Sequence, residues 1–193
     1  MKNIAIFASG SGSNAQNIIQ HFYGGNIAEV KIIICNNPKA YVLERAAALG
    51  VPAAVMGKEE LTAGSPISLL ALLEENAIDY IILAGYLQKI PQALITAYDG
   101  RIINIHPALL PKFGGKGMYG MHVHHAVIDA GEIESGITIH LVDGAYDNGR
   151  ILFQAHCPIT SDDTPETVAT KVHKLEQQHF PSIIEDFILG SSR

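Results

Sequence analysis

Short, almost wholly apolar runs recur along the first half of the chain and restrict it to few folds. The clear ones are NIAIFA (3–8), VKIIIC (30–35), DYIILA (79–84) and RIINIH (101–106), with PAAV (52–55) as a weaker case. Such continuous runs are typical of strands buried on both faces of a parallel sheet. Segments with helical spacing lie between them, at 14–22, 41–50 and 66–76. The alternation predicts a doubly wound α/β fold.

The pattern changes after residue 136, where two strand-like runs follow each other directly. GITIHLV (136–142) and ILFQAHCPI (151–159) are separated only by the turn-forming segment DGAYDNGR. A strand, turn, strand order predicts antiparallel pairing. Further helices are expected at 121–131 and 165–189. We therefore expect a single doubly wound, mostly parallel sheet with helices on both faces and an antiparallel C-terminal edge, in one domain spanning 1–193.

Composition excludes several classes of protein. The net charge of −6 and the lack of a lysine or arginine cluster argue against a nucleic-acid partner. The apolar N-terminal stretch breaks at Gly10, too early for a signal peptide or a membrane span, so we expect a cytoplasmic protein with no membrane partner. Cys35 and Cys157 each lie in an apolar run and are interpreted as buried thiols rather than a disulfide.

A glycine-rich loop, ASGSGSNAQNII (8–19), follows the first strand and opens the first helix. Gly10 and Gly12 permit a tight turn, Ser13 or Asn14 can cap the helix, and the free N–H groups there favour an anion. The spacing matches a dinucleotide fingerprint, but the second strand ends in CNNPKA without the required acid, and no P-loop lysine follows. The loop predicts a phosphate on a smaller substrate, and a turn without a ligand remains the alternative.

Two polar side chains, Asn104 and His106, end the strand RIINIH and point the same way, because side chains alternate along a strand. The turn that contains Asp147 can bring a carboxylate to them. Asn104 and a protonated His106 can donate to a developing oxyanion, while Asp147 can raise the imidazole pKa and later accept a proton. No cysteine or G-x-S-x-G serine lies near, which favours direct attack by a substrate amine. A strand-end histidine that only caps its neighbours remains the alternative.

Several segments together resemble the folate-dependent phosphoribosylglycinamide formyltransferase family of purine synthesis. They are SGSGSN (9–14), AGYLQKI (84–90), NIHPALLPKF (104–113), GITIHLVDGAYDNG (136–149) and KVHKLEQQHFP (171–181). The resemblance runs from residue 3 to about residue 188, and NIHPALLP with a downstream aspartate is specific to the formyl-folate transferase and hydrolase superfamily. It implies transfer of a formyl group from 10-formyltetrahydrofolate, as co-substrate, to the amine of glycinamide ribonucleotide, without a metal.

The resemblance also implies roles for particular residues. The catalytic trio would be Asn104, His106 and Asp147, and the ribonucleotide would bind at Gly12, Ser13, Asn14, His173 and Glu176. The folate would contact Lys58, Leu87, Gln88, Lys89, Ile90, Asn104, His140, Asp143, Gly144, Ala145, Tyr146 and Asp147. The partners would be these small molecules, with the chain acting as a monomer or a weak homodimer.

The chain departs from the family at two places. An arginine that reaches the folate tail is commonly found where only Lys58 could serve here, and lysine lacks bidentate carboxylate binding. The loop 114–125 is longer and richer in glycine. It includes His122, His124 and His125, which suggest zinc, although His122 and His124 diverge on a helix. Hydrolysis of formyl-folate and a non-catalytic nucleotide-binding module remain alternative functions.

Overall fold

The computed structural model describes residues 1–57 and 69–190, and these contain one seven-stranded sheet. The strand order is β3-β2-β1-β4-β5-β6-β7. Strands β1 to β5 pair in parallel, and β5, β6 and β7 pair antiparallel, which confirms the predicted fold class. The strands are β1 (Lys2–Ala8), β2 (Ala28–Cys35), β3 (Ala53–Val55), β4 (Tyr80–Leu83), β5 (Ile102–His106), β6 (Glu134–Leu141) and β7 (Ile151–Pro158).

The helices lie close to the predicted positions, with one addition. They are α1 (Ser13–Phe22), α2 (Val42–Ala48), α3 (Leu69–Glu75), α4 (Gln92–Ala97), α5 (Met121–Asp129) and α6 (Pro165–Ile188). The sequence did not predict α4, because its six residues are too few to establish a helical period. The predicted start of α3 at 66 falls outside the described residues.

Alternation along β1 divides the core into two layers, one on each face of the sheet. Ile4, Ile6 and Ala8 belong to a cluster that includes buried residues of α1, α2 and α6. Ala5 and Phe7 point the other way, into a cluster with α3 and α4. A strand covered on both faces needs apolar residues at every position, which explains the unbroken run seen in the sequence.

The last helix, α6, continues through Pro181, which is buried. A proline has no N–H, so the carbonyl of Gln177 four residues earlier loses its helical partner. Asn17 of α1 replaces it, with Nδ2 donating to that carbonyl at 2.8 Å. The break in the hydrogen-bond ladder of α6 is therefore filled by α1, and it joins the first helix to the last.

The register between β5 and β6 fixes the neighbours of the polar strand end. Asn104 lies opposite His140, and His106 lies opposite Thr138. The Thr138 hydroxyl donates to the carbonyl of Ala108 at 2.7 Å and accepts from the N–H of Leu110 at 3.0 Å. The segment that leaves β5 is thus held against β6 at the point where the strand ends.

Two further expectations concern the membrane and the cysteines. Within the described ranges, no helix has the length and apolar character needed to span a bilayer. Cys35 and Cys157 are both buried and free, as predicted.

Candidate active site

A cavity of about 820 Å³ opens at the carboxyl ends of β1, β4 and β5. Its wall combines the glycine-rich loop, the end of β5, the loop before α5, and one face of α6. A smaller cleft adjoins it beside the turn between β6 and β7. Five residues line both spaces, namely Tyr86, Gln88, Asn104, Tyr146 and Asp147. The two spaces therefore meet where the sequence places the candidate catalytic residues.

The structure brings Asn104, His106 and Asp147 together. Nδ1 of His106 lies 3.6 Å from Oδ2 of Asp147. Asn104 reaches the same carboxylate through His140, since Nδ2 of Asn104 lies 3.0 Å from Nε2 of His140 and that nitrogen lies 3.7 Å from Oδ1 of Asp147. The two separations to Asp147 are too long for hydrogen bonds, so they are close electrostatic contacts.

Asp147 is fixed by the backbone of the loop that precedes α5. The N–H of Gly115 donates to Oδ2 of Asp147 at 2.8 Å. Gly114 allows this approach, because a Cβ at that position would lie 3.2 Å from the Cβ of Asp147. The carboxylate is thus aimed at the imidazoles from a turn on one side and held by a loop on the other.

The protonation state of His106 differs from the one expected from the sequence. Burial lowers the pKa of His106 below its ordinary value, although Asp147 and the carbonyl of Phe113 act in the opposite direction. Burial alone would raise the pKa of Asp147, but His140, His106 and the Gly115 N–H outweigh it and leave that pKa lowered. Asp147 is therefore ionised at neutral pH, but its effect on His106 is smaller than that of burial. The sequence had suggested that Asp147 keeps the imidazole protonated.

His106 already has a hydrogen-bond partner in this structure. Its Nε2 lies 2.8 Å from the carbonyl oxygen of Phe113. A carbonyl only accepts, so Nε2 carries a proton and donates it. The other ring nitrogen, Nδ1, faces Asp147.

The glycine-rich loop begins α1 in a way that the sequence did not predict. Gly12, at a φ of 75°, is the N-cap, and no side chain caps the helix, so Ser13 and Asn14 are the first helical residues rather than caps. A Cβ at Gly12 would overlap Val42. Helix geometry leaves the first N–H groups without partners within the helix, and the N-cap residue has no side chain to satisfy them. They are available to an anion in the cavity.

The residues predicted to hold the ribonucleotide are also brought together. Oε2 of Glu176 accepts from Nδ2 of Asn14 at 2.9 Å and lies 3.1 Å from Nδ1 of His173. The hydrogen bond with Glu176 raises the pKa of His173. Gln177 donates to Oδ1 of Asn14. The Asn14 amide is thus occupied by α6 at both ends and serves to position Glu176, while its backbone N–H remains for a ligand.

The smaller cleft contains most of the residues predicted for folate. Its walls include Gln88, Lys89, Ile90, Asn104, His140, Asp143, Gly144, Ala145, Tyr146 and Asp147. Leu87 lines the larger cavity instead and is 54 % exposed. Asp143 accepts from the N–H of Ala145 at 2.9 Å and so shapes the turn. Lys58 lies outside the described residues.

The histidines of α5 separate as the helical period requires. His122 and His125 are exposed and His124 is buried. Among residues 1–57 and 69–190, no group of three or more histidine, cysteine, aspartate or glutamate residues could hold a metal ion.

Sequence reasoning assigned no catalytic or substrate-binding role to Tyr86 or His124, although both line the larger cavity. The signal for His124 was available, since the buried Val123 and Val127 mark the inward face of α5 and residue 124 adjoins it. Tyr86 offered no such signal. Burial raises its pKa to about 12, and its hydroxyl is buried without a hydrogen-bond partner in the described part of the chain.

Comparison with known proteins shows one family. Residues 2–184 match the family model for formyl transferases. The chain is 42 % identical to the phosphoribosylglycinamide formyltransferase, chloroplastic, of Arabidopsis thaliana, over 97 % of this chain and 67 % of the plant protein. It is 37 % identical to the phosphoribosylglycinamide formyltransferase of Bacillus subtilis (strain 168), over 97 % of this chain and 95 % of that protein. The crystal structure of phosphoribosylglycinamide formyltransferase from Streptococcus pneumoniae TIGR4 superposes with a TM-score of 0.85 at 39 % identity, over 97 % of this chain and 99 % of that one.

Proposed function

The chain belongs to the formyl transferase family, and from this premise we propose that it transfers the formyl group of 10-formyltetrahydrofolate to the amine of glycinamide ribonucleotide, in de novo purine biosynthesis. The proposal rests on one observation: the large cavity and the smaller cleft meet at the polar side chains predicted to be catalytic. Asn104 and Asp147 line both the large cavity and the smaller cleft, and His106 lies beside them. A reaction between two separately held substrates requires such a junction.

On the acceptor side, the phosphate would lie at the start of α1. The uncapped N–H groups there suit a phosphate, and the positive φ of Gly12 forms the turn from which they start. His173 and Glu176 line the same cavity and would contact the phosphate and the ribose. This order directs the amine of the ribonucleotide toward His106.

On the donor side, the folate would lie in the smaller cleft. The backbone of Asp143 to Asp147 and the segment Leu87 to Ile90 would flank its ring, and His140 would support the turn. Lys89 lies over the Tyr146 ring, with Nζ 5.8 Å from the centroid, and both residues line the cleft. The tail contact at Lys58 is part of the same proposal.

The proposed chemistry is a direct transfer. The amine nitrogen attacks the formyl carbon, and the carbonyl oxygen becomes an oxyanion. Asn104 has two N–H groups, of which one faces His140 and the other remains for the oxyanion. Asp147, ionised at neutral pH, accepts the proton that the attacking amine loses. The oxyanion then re-forms the carbonyl as the bond from carbon to N10 of the folate breaks, and N10 takes the proton held by Asp147, which leaves tetrahydrofolate, the formylated ribonucleotide and an ionised Asp147.

His106 would assist by donating its hydrogen bond to a different acceptor. Its Nε2–H donates to the Phe113 carbonyl, and the same N–H would turn to the oxyanion when the formyl group is in place. The expected raised pKa is not needed for this step, because a neutral imidazole with a proton on Nε2 is already a donor.

We further propose that the chain acts as one formyltransferase-like domain in the cytoplasm, as a monomer or weak homodimer, on small molecules alone. The experiment that tests the function is an assay of the purified protein with formyl-folate, with and without the ribonucleotide. We expect turnover only when both are present, with one formylated product for each folate consumed. Equal turnover without the ribonucleotide would show a hydrolase, and ribonucleotide binding without any turnover would show a non-catalytic module.

A further inference from the structure

His124 is a buried histidine of α5 to which the proposed reaction gives no role. The residue is 5 % exposed and lines the large cavity. Its helix is firmly seated, because the neighbouring Val123 and Val127 are buried against Ala108. A large polar ring in such a position needs a reason, since an apolar side chain would fill the same space without the cost of desolvating two nitrogens.

The environment of the ring determines where its proton lies. Nδ1 is buried and has no hydrogen-bond partner within the described ranges. A buried N–H without an acceptor is costly, so the proton of the neutral ring belongs on Nε2. Burial also lowers the pKa of His124, which keeps the ring neutral. His124 is therefore an uncharged donor, with Nε2 as the atom that can serve a ligand.

The position of His124 suggests which part of a ligand it serves. Glu176 and His106 both act on its charge, so the ring lies within electrostatic reach of the proposed ribose site and of the formyl-transfer site. All three residues line the same cavity. We place the ribonucleotide with its phosphate at the start of α1 and its amine at His106. The part between the ribose and the amine is then the glycinamide group, here called the glycinamide arm, which contains an amide. Its carbonyl oxygen is an acceptor, which complements Nε2–H.

We propose that His124 is a further substrate-binding residue, whose Nε2 donates a hydrogen bond to the amide carbonyl oxygen of the glycinamide arm. This inference rests on the proposed function. The bond would fix the rotation of the arm and so aim the terminal amine at the formyl carbon. An error in that aim lowers the rate as well as the affinity.

The test compares two ligands that differ in the arm. Glycinamide ribonucleotide carries it, and ribose 5-phosphate lacks it. In His124→Leu, which fills the site without a donor, we expect affinity for the ribonucleotide to fall by roughly three- to tenfold, as for loss of one uncharged hydrogen bond. Affinity for ribose 5-phosphate should stay unchanged. Titration calorimetry with each ligand gives both values.

Two isosteric variants separate binding from structure. In His124→Gln the side-chain amide can reach the place of Nε2, whereas in His124→Asn it can reach only the place of Nδ1. The glutamine variant should keep more ribonucleotide affinity than the asparagine variant, and this comparison stands even if the leucine variant does not fold. His125→Gln is the matched control, because His125 is the exposed neighbour on the same helix.

The outcomes are distinct. Equal losses for the two ligands would place His124 at the ribose or phosphate, and no loss for either would leave it a structural residue; both results overturn the inference. A failure of the unmodified protein to transfer formyl to the ribonucleotide would instead overturn the proposed function, and the inference with it, before any variant is made.

Discussion

Asn104 and His140 face each other across the β5–β6 ladder, with Nδ2 of Asn104 3.0 Å from Nε2 of His140. The other ring nitrogen, Nδ1, lies 2.8 Å from the carbonyl oxygen of Leu141. That carbonyl can only accept, so the proton of His140 lies on Nδ1 and Nε2 is an acceptor. The Asn104 amide must then present its N–H₂ end to His140. The backbone of β6 thus sets the orientation of a side chain on β5.

We expect His140→Leu to lower turnover by releasing the Asn104 amide. The loss should lie between roughly tenfold and a hundredfold, below the loss from removing an oxyanion donor altogether. His140→Gln keeps an acceptor within reach and should lose less. Steady-state kinetics at saturating substrates measures the effect, with Asn104→Ala as the reference. Full turnover in His140→Leu would show that the amide orients itself without this bond.

Asp147→Asn keeps the shape of the side chain and removes its charge. Turnover should fall by roughly two to four powers of ten, the usual range for a positioned acid–base group. Binding of both substrates should change much less, because the loss falls on the transition state. Asp143→Asn is the matched control, since that carboxylate is committed to the Ala145 N–H and should matter far less. If Asp143→Asn loses turnover and Asp147→Asn keeps it, Asp143 is the catalytic carboxylate.

His106→Asn should resemble Asp147→Asn in turnover, since the two residues act on the same transition state. The double variant is then expected to lose less than the product of the two single losses, as residues that act as a unit do. A fully multiplicative loss in the double variant would indicate independent roles despite the 3.6 Å separation of their side chains.

The stability of the protein should fall on mild acidification because of His106. The pKa of His106 in the folded protein lies below the ordinary value of 6.5. As the pH falls below 6.5, His106 is therefore protonated in the unfolded chain before it is protonated in the folded one, and this favours unfolding. The groups that act on it are Asp147, Phe113, His140 and Glu176. Denaturant unfolding at about pH 7.5 and about pH 5.5 measures the fall, which should be smaller in His106→Asn. His124, whose pKa is also lowered, adds to the fall, whereas His173, whose pKa is raised, contributes with the opposite sign, and Asp147 contributes only below its ordinary value of 3.8.

Gly12→Ala tests the start of α1. The residue has a φ of 75°, and the added Cβ would overlap Val42, so we expect a loss of about 1–3 kcal/mol in the free energy of unfolding. Affinity for ribose 5-phosphate should fall as well, because the N–H groups are displaced. Gly10→Ala is the control, since a Cβ there meets nothing within 4 Å. Similar behaviour of the two variants would exclude a special role for Gly12.

The contact between α1 and α6 is open to a double-mutant cycle. Asn17→Ala leaves the Gln177 carbonyl without a donor and should cost about 1–3 kcal/mol in the free energy of unfolding. Pro181→Ala restores a helical N–H to the same carbonyl, so the cost of Asn17→Ala should shrink in that background. Additive costs would mean that water satisfies the carbonyl.

The parts of the site that follow from local periodicity were predictable from the sequence. Asn104 and His106 share one side of β5 because a strand alternates, and the glycine-rich loop opens α1 because glycine permits the turn. The position of Asp147 was inferred from the turn and from the family resemblance, and the structure gives it a loop partner in Gly115 that is 32 residues away.

Other features depend on contacts that no local pattern encodes. The side chain of Asn14 is taken up by Glu176, 162 residues later, so a residue that the sequence assigned to the ligand is engaged by the protein. The lowered pKa of His106 arises from burial by the assembled fold, whereas sequence reasoning considered only a charged neighbour. The helix α4 was missed for lack of length rather than for lack of a tertiary partner.

The hydrogen bond between Asn14 and Glu176 determines when the acceptor cavity can form during synthesis of the chain. One wall of the acceptor cavity contains Asn14 and the other lies in α6, with Glu176 162 residues later in the chain. A chain emerging from a ribosome would expose β1 and the glycine-rich loop long before α6 is available to cover them. Until α6 has been synthesised and has folded, the proposed ribonucleotide site lacks one wall, so nascent chains that have not yet released α6 should neither retain ribose 5-phosphate nor be protected by it from proteolysis.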